Sequence, residues 1–302
     1  MPSPSDTRVD VLVLGAGWTS KFLVQHLEEE KLSYALTTTS GNIHKSCEGK
    51  YDPGKMVKFW FDPEAETQDE QQYAQLPTAH TAIITFALYG TGKVQKLVET
   101  YKKTHAGDVL TNWIQFGSSG IYRGDYCHNH ESEYEKIPRA VAEDELLAMG
   151  GTVLNLSGLW GDERLPRNWP RRIAKSKEQL KTKGALHLIH GEDVARACVA
   201  LHRRFSPGNR WLVTDRHVYD WWDLIDGWAD ELEKEGNVEG LDLEYKRWID
   251  ELLIEQNLPA LPRDLMKLGR ILDSNKFWKE VGILPRRSLK RQLNDDEWSS
   301  HH

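Results

Sequence analysis

Little in this chain favours an extracellular, membrane or nucleic-acid role. Cysteine is scarce: Cys47, Cys127 and Cys198 are widely spaced and odd in number, which argues against a disulfide framework and for a reducing compartment. No run near the start approaches the ~20 apolar residues that span a bilayer, since Val9 to Leu14 carries Asp10 and stops at Gly15. A cationic excess is missing too. Lys and Arg number 39 against 46 Asp and Glu, a formal net charge of −7, whereas binding a phosphate backbone needs a concentrated positive face. The opening MPSPSDTR has no hydrophobic secretory core, so a cytoplasmic protein is expected. Repeats and low-complexity tracts are absent, and Ser299 to His302 is a polar tail.

What is present describes a folded, well-solvated protein: 39% apolar and 28% charged residues, with a mean hydropathy of −0.60. The 302 residues suffice for one large α/β unit or a nucleotide-binding domain with a smaller companion. Short β-rich runs alternate with helical patterns through the first half, as a parallel sheet wrapped by helices requires. Strands are predicted at Val9–Leu14, Tyr34–Thr38, Val57–Phe61, Thr81–Ala87, Asn112–Phe116 and Thr152–Leu156. Helices are predicted at Ser20–Glu30, Lys93–Lys103 and Pro138–Met149, the last opened by proline and closed by Gly150-Gly151. Beyond about residue 160 Pro166 and Pro170 loosen the pattern, and helices are expected at Asp193–Arg204, Trp221–Glu235 and Leu243–Gln256. The predicted fold is therefore α/β, a Rossmann doubly wound parallel sheet over residues 1–160. Residues 161–302 form a smaller, mainly helical substrate-binding region interleaved with that sheet.

Between the first strand and helix lies Gly15-Ala16-Gly17-Trp18-Thr19-Ser20. Gly15 permits a tight turn and Gly17 lets backbone approach a diphosphate, while the helix start offers free N–H groups and the positive end of its dipole. Ser20 holds the third small position, where close packing against the strand is needed. A carboxylate at the end of the second strand would hold the ribose hydroxyls of NAD; Thr37-Thr38-Thr39-Ser40 stands there instead. Hydroxyls tolerate a 2′-phosphate, and His44 and Lys45 add positive charge, so NADP is preferred over NAD. Ala87 and Leu88, beyond the fourth strand, are expected beside the adenosine half.

Four ordered stretches, Gly15-Ala16-Gly17, Phe116-Gly117-Ser118-Ser119-Gly120-Ile121-Tyr122, Leu154 to Gly161 and Ile189 to Ala195, are joined by Ser274-Asn275-Lys276 and Val281-Gly282-Ile283. Together they make the chain resemble the extended or atypical branch of the short-chain dehydrogenase/reductase superfamily, the NAD(P)-dependent epimerase/dehydratase-like group. The resemblance implies that Ser118 bonds the reacting oxygen, with Ser119 beside it at the substrate. It also implies an acid/base tyrosine with a lysine four residues later, because a phenol of pKa ~10 needs cationic help near neutral pH. This sequence departs there: Arg139 occupies the lysine position and Glu135 the tyrosine position, with Tyr134 one residue away. Arginine is a poor proton carrier. Three readings stand open: Tyr134 takes the role by a shift of register, Glu135 serves as general base, or hydride chemistry is absent.

Cys127-His128-Asn129-His130-Glu131 lacks the spacing of a zinc site and reads as a solvated loop at the pocket mouth, so no metal is expected. His190 and Asp193 read as structural, Asp193 as a helix cap. Arg164 falls where similar proteins hold a polar substrate group. The chain's 12 tryptophans are many; Trp160, Trp169, Trp221 and Trp222 fall in the segment that covers the reacting end, which suggests an aromatic pocket for a hydrophobic substrate. The function expected is an NADP-dependent oxidoreductase or epimerase-like enzyme acting on a hydroxyl- or carbonyl-bearing small molecule. Alternatives are a non-redox isomerase, cyclase or lyase, and a non-catalytic dinucleotide sensor. No nucleic-acid or membrane partner is expected, and association into a homodimer is left open.

Overall fold

Val11 and Val13 point to one face of the first strand and Leu12 and Leu14 to the other, and all four are buried. A strand reads as continuously apolar in this way when helices cover both faces of its sheet. In this computed structural model, which describes residues 8–41, 51–105, 110–236 and 240–292, seven strands form that sheet. They are β1 (Arg8–Leu14), β2 (Tyr34–Thr38), β3 (Met56–Lys58), β4 (Thr78–Ile84), β5 (Asn112–Ser118), β6 (Thr152–Leu156) and β7 (Arg210–Val213). They are parallel throughout, in the spatial order β3-β2-β1-β4-β5-β6-β7. The longer helices are α1 (Trp18–Glu29), α2 (Lys93–Thr104), α3 (Pro138–Ala148), α4 (Gly191–Arg203), α5 (Trp221–Lys234), α6 (Gly240–Glu255) and α7 (Asn275–Val281).

Leu23, Val24 and Leu27 of α1, with Val194, Cys198 and Leu201 of α4, pack on Val11, Val13, Leu36 and Ile114. On the opposite face Val94, Leu97 and Tyr101 of α2 and Ala142 and Leu146 of α3 cover Leu12, Leu14, Ala82 and Ile84. The doubly wound α/β reading holds. Strand order reverses between β1 and β4, and the crevice outside their C-terminal ends is where such sheets take ligands. After β6 the chain leaves the sheet and returns to it through α4 and β7. Only then does it build a further apolar cluster, in which Trp221, Trp222 and Ile225 of α5 meet Tyr245, Ile249 and Leu252 of α6. Among the described residues no helix is long and apolar enough to cross a membrane.

Several boundaries move for identifiable reasons. α1 starts at Trp18 rather than Ser20, with Gly17 as its N-cap. β4 ends at Ile84 because the Thr85 hydroxyl turns back to donate to the carbonyls of Leu14 and Gly15, at 3.0 and 2.8 Å. β3 is only three residues long; past Phe59, whose N–H still donates to Thr38 O at 2.9 Å, Trp60 bonds the side chain of Gln72 instead. β7 went unseen because four residues after Asn209 carry too little periodicity to announce a strand. The Cys127–Glu131 stretch is a solvated loop only in part: Cys127, Asn129 and Glu131 are exposed, but Cys127 and His128 pair in parallel with Ile271 and Leu272, and His128 is fully buried. At the start of α4 the cap is His190, whose Nδ1 accepts from Glu192 N at 3.2 Å. Asp193 instead accepts the backbone N–H groups of Arg286 and Arg287 and so fastens the C-terminal segment to α4.

Candidate functional site

Gly15 has φ +102°, and a Cβ there would lie 2.6 Å from the Thr85 hydroxyl, so only glycine makes this turn. Its N–H donates to Thr37 Oγ1 at 2.9 Å. The neighbouring Ala16 N–H donates to Thr37 O at 2.7 Å, which locks the corner onto β2. Ser20, buried, donates to Gly15 O at 2.9 Å and so fills the third small position by bonding the strand end. Gly17 is different. A Cβ on it would meet nothing within 4 Å, and no side chain caps α1. Its carbonyl accepts from Tyr51 at 3.1 Å, leaving the N–H groups at the start of α1, around Trp18 and Thr19, as the free donors of the first turn. Open space before an uncapped helix start is the cradle a diphosphate needs.

At the end of β2 the Thr38 hydroxyl is buried with no hydrogen-bond partner among the described residues, an orphan a ribose hydroxyl would satisfy. Thr39 and Ser40 are exposed. Thr39 lines a depression of 630 Å³ with Lys58, Trp60, Asp69, Gln72 and Gln75. His44 and Lys45 lie outside the described residues. Ala87 is exposed beyond β4, whereas Leu88 points into the core against Val94 and Leu97. The turn, the uncapped helix and the orphan hydroxyl fit a dinucleotide.

A second cleft, of 470 Å³, opens at the C-terminal ends of β4, β5 and β6; its lining includes Thr19, Thr85, Ser118, Arg139, Ser157, Arg164, Trp169 and Arg172. Thr19 belongs to the phosphate turn and Ser118 to β5, so one cleft joins both ends of the predicted site. Ser118 Oγ accepts from Gly120 N at 3.1 Å, which leaves its own proton to donate to a ligand. Ser119 is buried and absent from the lining, its carbonyl held by Arg270 at 3.2 Å. Arg139 bonds Phe116 O and Glu143 Oε1, the latter at 3.3 Å.

Glu143 was not foreseen, and it organises this end. Fully buried, it accepts from Ser118 N at 3.1 Å, from Asn155 Nδ2 at 2.8 Å and from Arg210 Nη1. Gly117 has no side chain because a Cβ there would fall 2.4 Å from Asn155 Nδ2 and 2.7 Å from Glu143 Oε1. Arg210 enters from β7, the strand the sequence concealed, and a buried glutamate with no visible basic partner gave no signal.

Tyr134 and Glu135 do not join Ser118. Tyr134 packs beside Tyr122 and Leu212; its hydroxyl donates to Asp144 Oδ1 at 2.5 Å and Arg210 lies 4.4 Å over its ring. Burial opposes ionisation of Asp144, but hydrogen bonds from Lys136 and Tyr134 and the charge of Arg210 outweigh it and hold the carboxyl below its usual value. Glu135 is exposed and pairs with Arg123 at 3.1 Å. Residues four apart share a face only on a helix, and α3 begins at Pro138, after an extended Ile137 with φ −67° and ψ 159°.

Arg164 lies 4.3 Å over the ring of Trp18. A hairpin puts it there: Gly161 N bonds Arg164 O at 3.1 Å and Arg164 N bonds Gly161 O at 3.0 Å, while Lys21 reaches Glu163 at 2.8 Å and Asp162 at 3.3 Å. Burial disfavours the Lys21 charge, yet those two carboxylates hold its pKa above the usual value. Of the four tryptophans only Trp169 lines the cleft. Trp160, Trp221 and Trp222 are buried in the apolar cluster around α5 and α6, which corrects the expectation of a broad aromatic pocket: these rings have been used as core, and the cleft wall mixes arginines and hydroxyls with Phe116, Leu156, Leu159 and Trp169. Among the described residues no group of three or more His, Cys, Asp or Glu is placed to hold a metal ion.

No family model matches the sequence, and no curated protein matches it. Solved structures do match. Vestitone reductase from alfalfa has a TM-score of 0.63 at 15% identity, with 96% of this chain and 97% of that chain covered. Yeast methylglyoxal/isovaleraldehyde reductase, complexed with NADPH, gives 0.61 at 15% identity over 93% and 94%. The dTDP-glucose 4,6-dehydratase of Bacillus anthracis, in complex with NAD, gives 0.56 at 13% over 97% of each. The fold is that of the extended short-chain dehydrogenase/reductase structures across nearly the whole chain.

Proposed function

We propose that this protein is an NADP-dependent oxidoreductase acting on a carbonyl- or hydroxyl-bearing small molecule. One observation carries the reading: Thr19, in the first turn of α1 just after the glycine corner, and Ser118 line a single cleft, which would set a dinucleotide against a reacting oxygen. Gly17 and the first turn of α1 would hold the diphosphate, and Thr38 a ribose hydroxyl. Thr39 and Lys58 offer a hydroxyl and a cation in a depression that Asp69 also lines, its carboxylate taken up by Gln71 N and Gln72; no carboxylate stands at the end of β2 itself, and this favours NADP. Two of the similar structures carry NADPH and NAD respectively.

Bound there, the nicotinamide supplies or accepts a hydride. In the reductive direction a carbonyl carbon gains the hydride and its oxygen gains a proton, giving an alcohol and oxidised cofactor. Ser118 polarises that oxygen by donating its hydroxyl proton in a hydrogen bond. Arg139, anchored by Phe116 O and Glu143, places fixed positive charge beside the developing oxyanion, which is electrostatic stabilisation rather than proton transfer. Among the described residues the lining contains no carboxylate, histidine, cysteine, lysine or tyrosine, which favours solvent as the source of the proton.

The test is NADPH consumption across an aldehyde and ketone panel. Turnover that falls about 100-fold in Ser118→Ala with unchanged NADPH affinity supports the reading; a protein that binds neither NADPH nor NADH removes it. The same proton-poor lining favours a second reading, a dinucleotide sensor without catalysis. It prevails if NADPH binds and no carbonyl is reduced.

A further inference from the structure

The segment after β6 carries four arginines, and they divide into two kinds. Arg167 pairs with Glu235 at 3.6 Å and Arg171 with Asp242 at 2.7 Å. Arg164 and Arg172 have no acidic partner among the described residues, and both line the cleft. Arg164 lies over Trp18 at the phosphate turn, where a bound dinucleotide's diphosphate would meet its charge. That leaves Arg172, an exposed residue at the edge of a cleft with no anion of its own. Beside Ser118 stands a second unmet group. Leu156 pairs in register with Ser118, and the next residue, Ser157, is only 7% exposed, lines the cleft and has a hydroxyl with no hydrogen-bond partner among the described residues. An orphaned buried hydroxyl and an unpaired guanidinium in one cleft call for an oxygen-rich anion.

Resting on the oxidoreductase reading above, we infer that the substrate carries an anionic group, a carboxylate or a phosphate, held by Arg172 and Ser157 while its carbonyl oxygen meets Ser118. This replaces the hydrophobic substrate that the tryptophans suggested. The arginine fork gives a planar anion two parallel hydrogen bonds, and the Ser157 hydroxyl adds a third donor.

The experiment compares matched pairs with NADPH: succinate semialdehyde against butanal, and glyceraldehyde 3-phosphate against glyceraldehyde. In parallel, succinate and inorganic phosphate are titrated into the NADPH-saturated protein by calorimetry. The charged member of one pair is expected to show a KM about tenfold or more below its neutral partner, and which pair shows it tells carboxylate from phosphate. Arg172→Met collapses that ratio toward one and abolishes binding of the same anion, with NADPH affinity unchanged; Ser157→Ala does so in part. Equal KM values within both pairs, or a ratio that survives Arg172→Met, overturn the inference and leave the oxidoreductase reading standing. If no carbonyl is reduced, anion binding that Arg172→Met abolishes sustains the anion site while removing the redox chemistry, and failure of both anions to bind wild type overturns the inference.

Discussion

The two ends of the cleft are built from different materials. At the dinucleotide end the working groups are backbone, the corner at Gly15 and the open helix start after Gly17, set within a dozen residues. At the reacting end the Ser118 backbone hangs from Glu143, a carboxylate of α3 that also binds Asn155 of β6 and Arg210 of β7. One end is local and the other is assembled from strands almost a hundred residues apart. The difference sharpens under substitution. Glu143→Gln takes the carboxylate from half-buried Arg139 and leaves buried Arg210 with Asp144 alone, and removing one partner of a buried ion pair costs about 3–5 kcal/mol. Urea unfolding should report a loss of that size, while the folded fraction keeps its NADPH affinity. A parallel loss of NADPH affinity would show that the two ends are one unit.

The dinucleotide end answers to a smaller change. Gly17 has φ −95°, a conformation any residue adopts, and open space where its Cβ would stand. Gly17→Val should therefore change stability by no more than about 1 kcal/mol while raising the dissociation constant for NADPH about 100-fold, because the new side chain occupies the approach to the α1 amides. Gly15→Ala gives the contrast: its positive φ and the Thr85 contact make it strain the fold itself. If calorimetry found NADPH bound normally by the Gly17 variant, the diphosphate would have to sit elsewhere.

How much was legible follows the same division. The glycine corner, the strand before it and the helix after it announced themselves because each depends on neighbours in sequence, and the parallel α/β sheet was readable from the alternation of runs. Ser118 could be named from its own motif. Glu143 and Arg210 could not, since a buried ion pair between a helix and the last sheet strand has no spacing. Trp160, Trp221 and Trp222 misled for a related reason: an aromatic residue in the substrate half serves core or pocket equally well, and only the packing of α5 against α6 decides. The alignment of Glu135 with Arg139 was contradicted by a residue already in view. Pro138 holds the residue before it in an extended conformation, so no helical face runs from 135 to 139.

Tyr134 offers the smallest effect and the sharpest discrimination between the two ends. Its hydroxyl bonds Asp144 at 2.5 Å and accepts from Lys136 at 3.1 Å, on a patch that does not line the cleft. Tyr134→Phe should cost about 1 kcal/mol of stability, the usual worth of one hydrogen bond, and leave kcat for any reduced carbonyl unchanged. Had this phenol delivered the proton, the same change would lower kcat about 10²–10⁴-fold and erase a basic limb from the pH–rate profile. Among the described residues the cleft lining holds serine and threonine hydroxyls and arginines but no Asp, Glu, His, Cys, Lys or Tyr. The wild-type kcat profile is accordingly expected to stay flat from about pH 6 to 9, a range free of serine and arginine titration. A limb in that interval, lost in Tyr134→Phe, would bring the tyrosine back to the reacting end and make the arrangement around Asp144 only one of two positions it occupies.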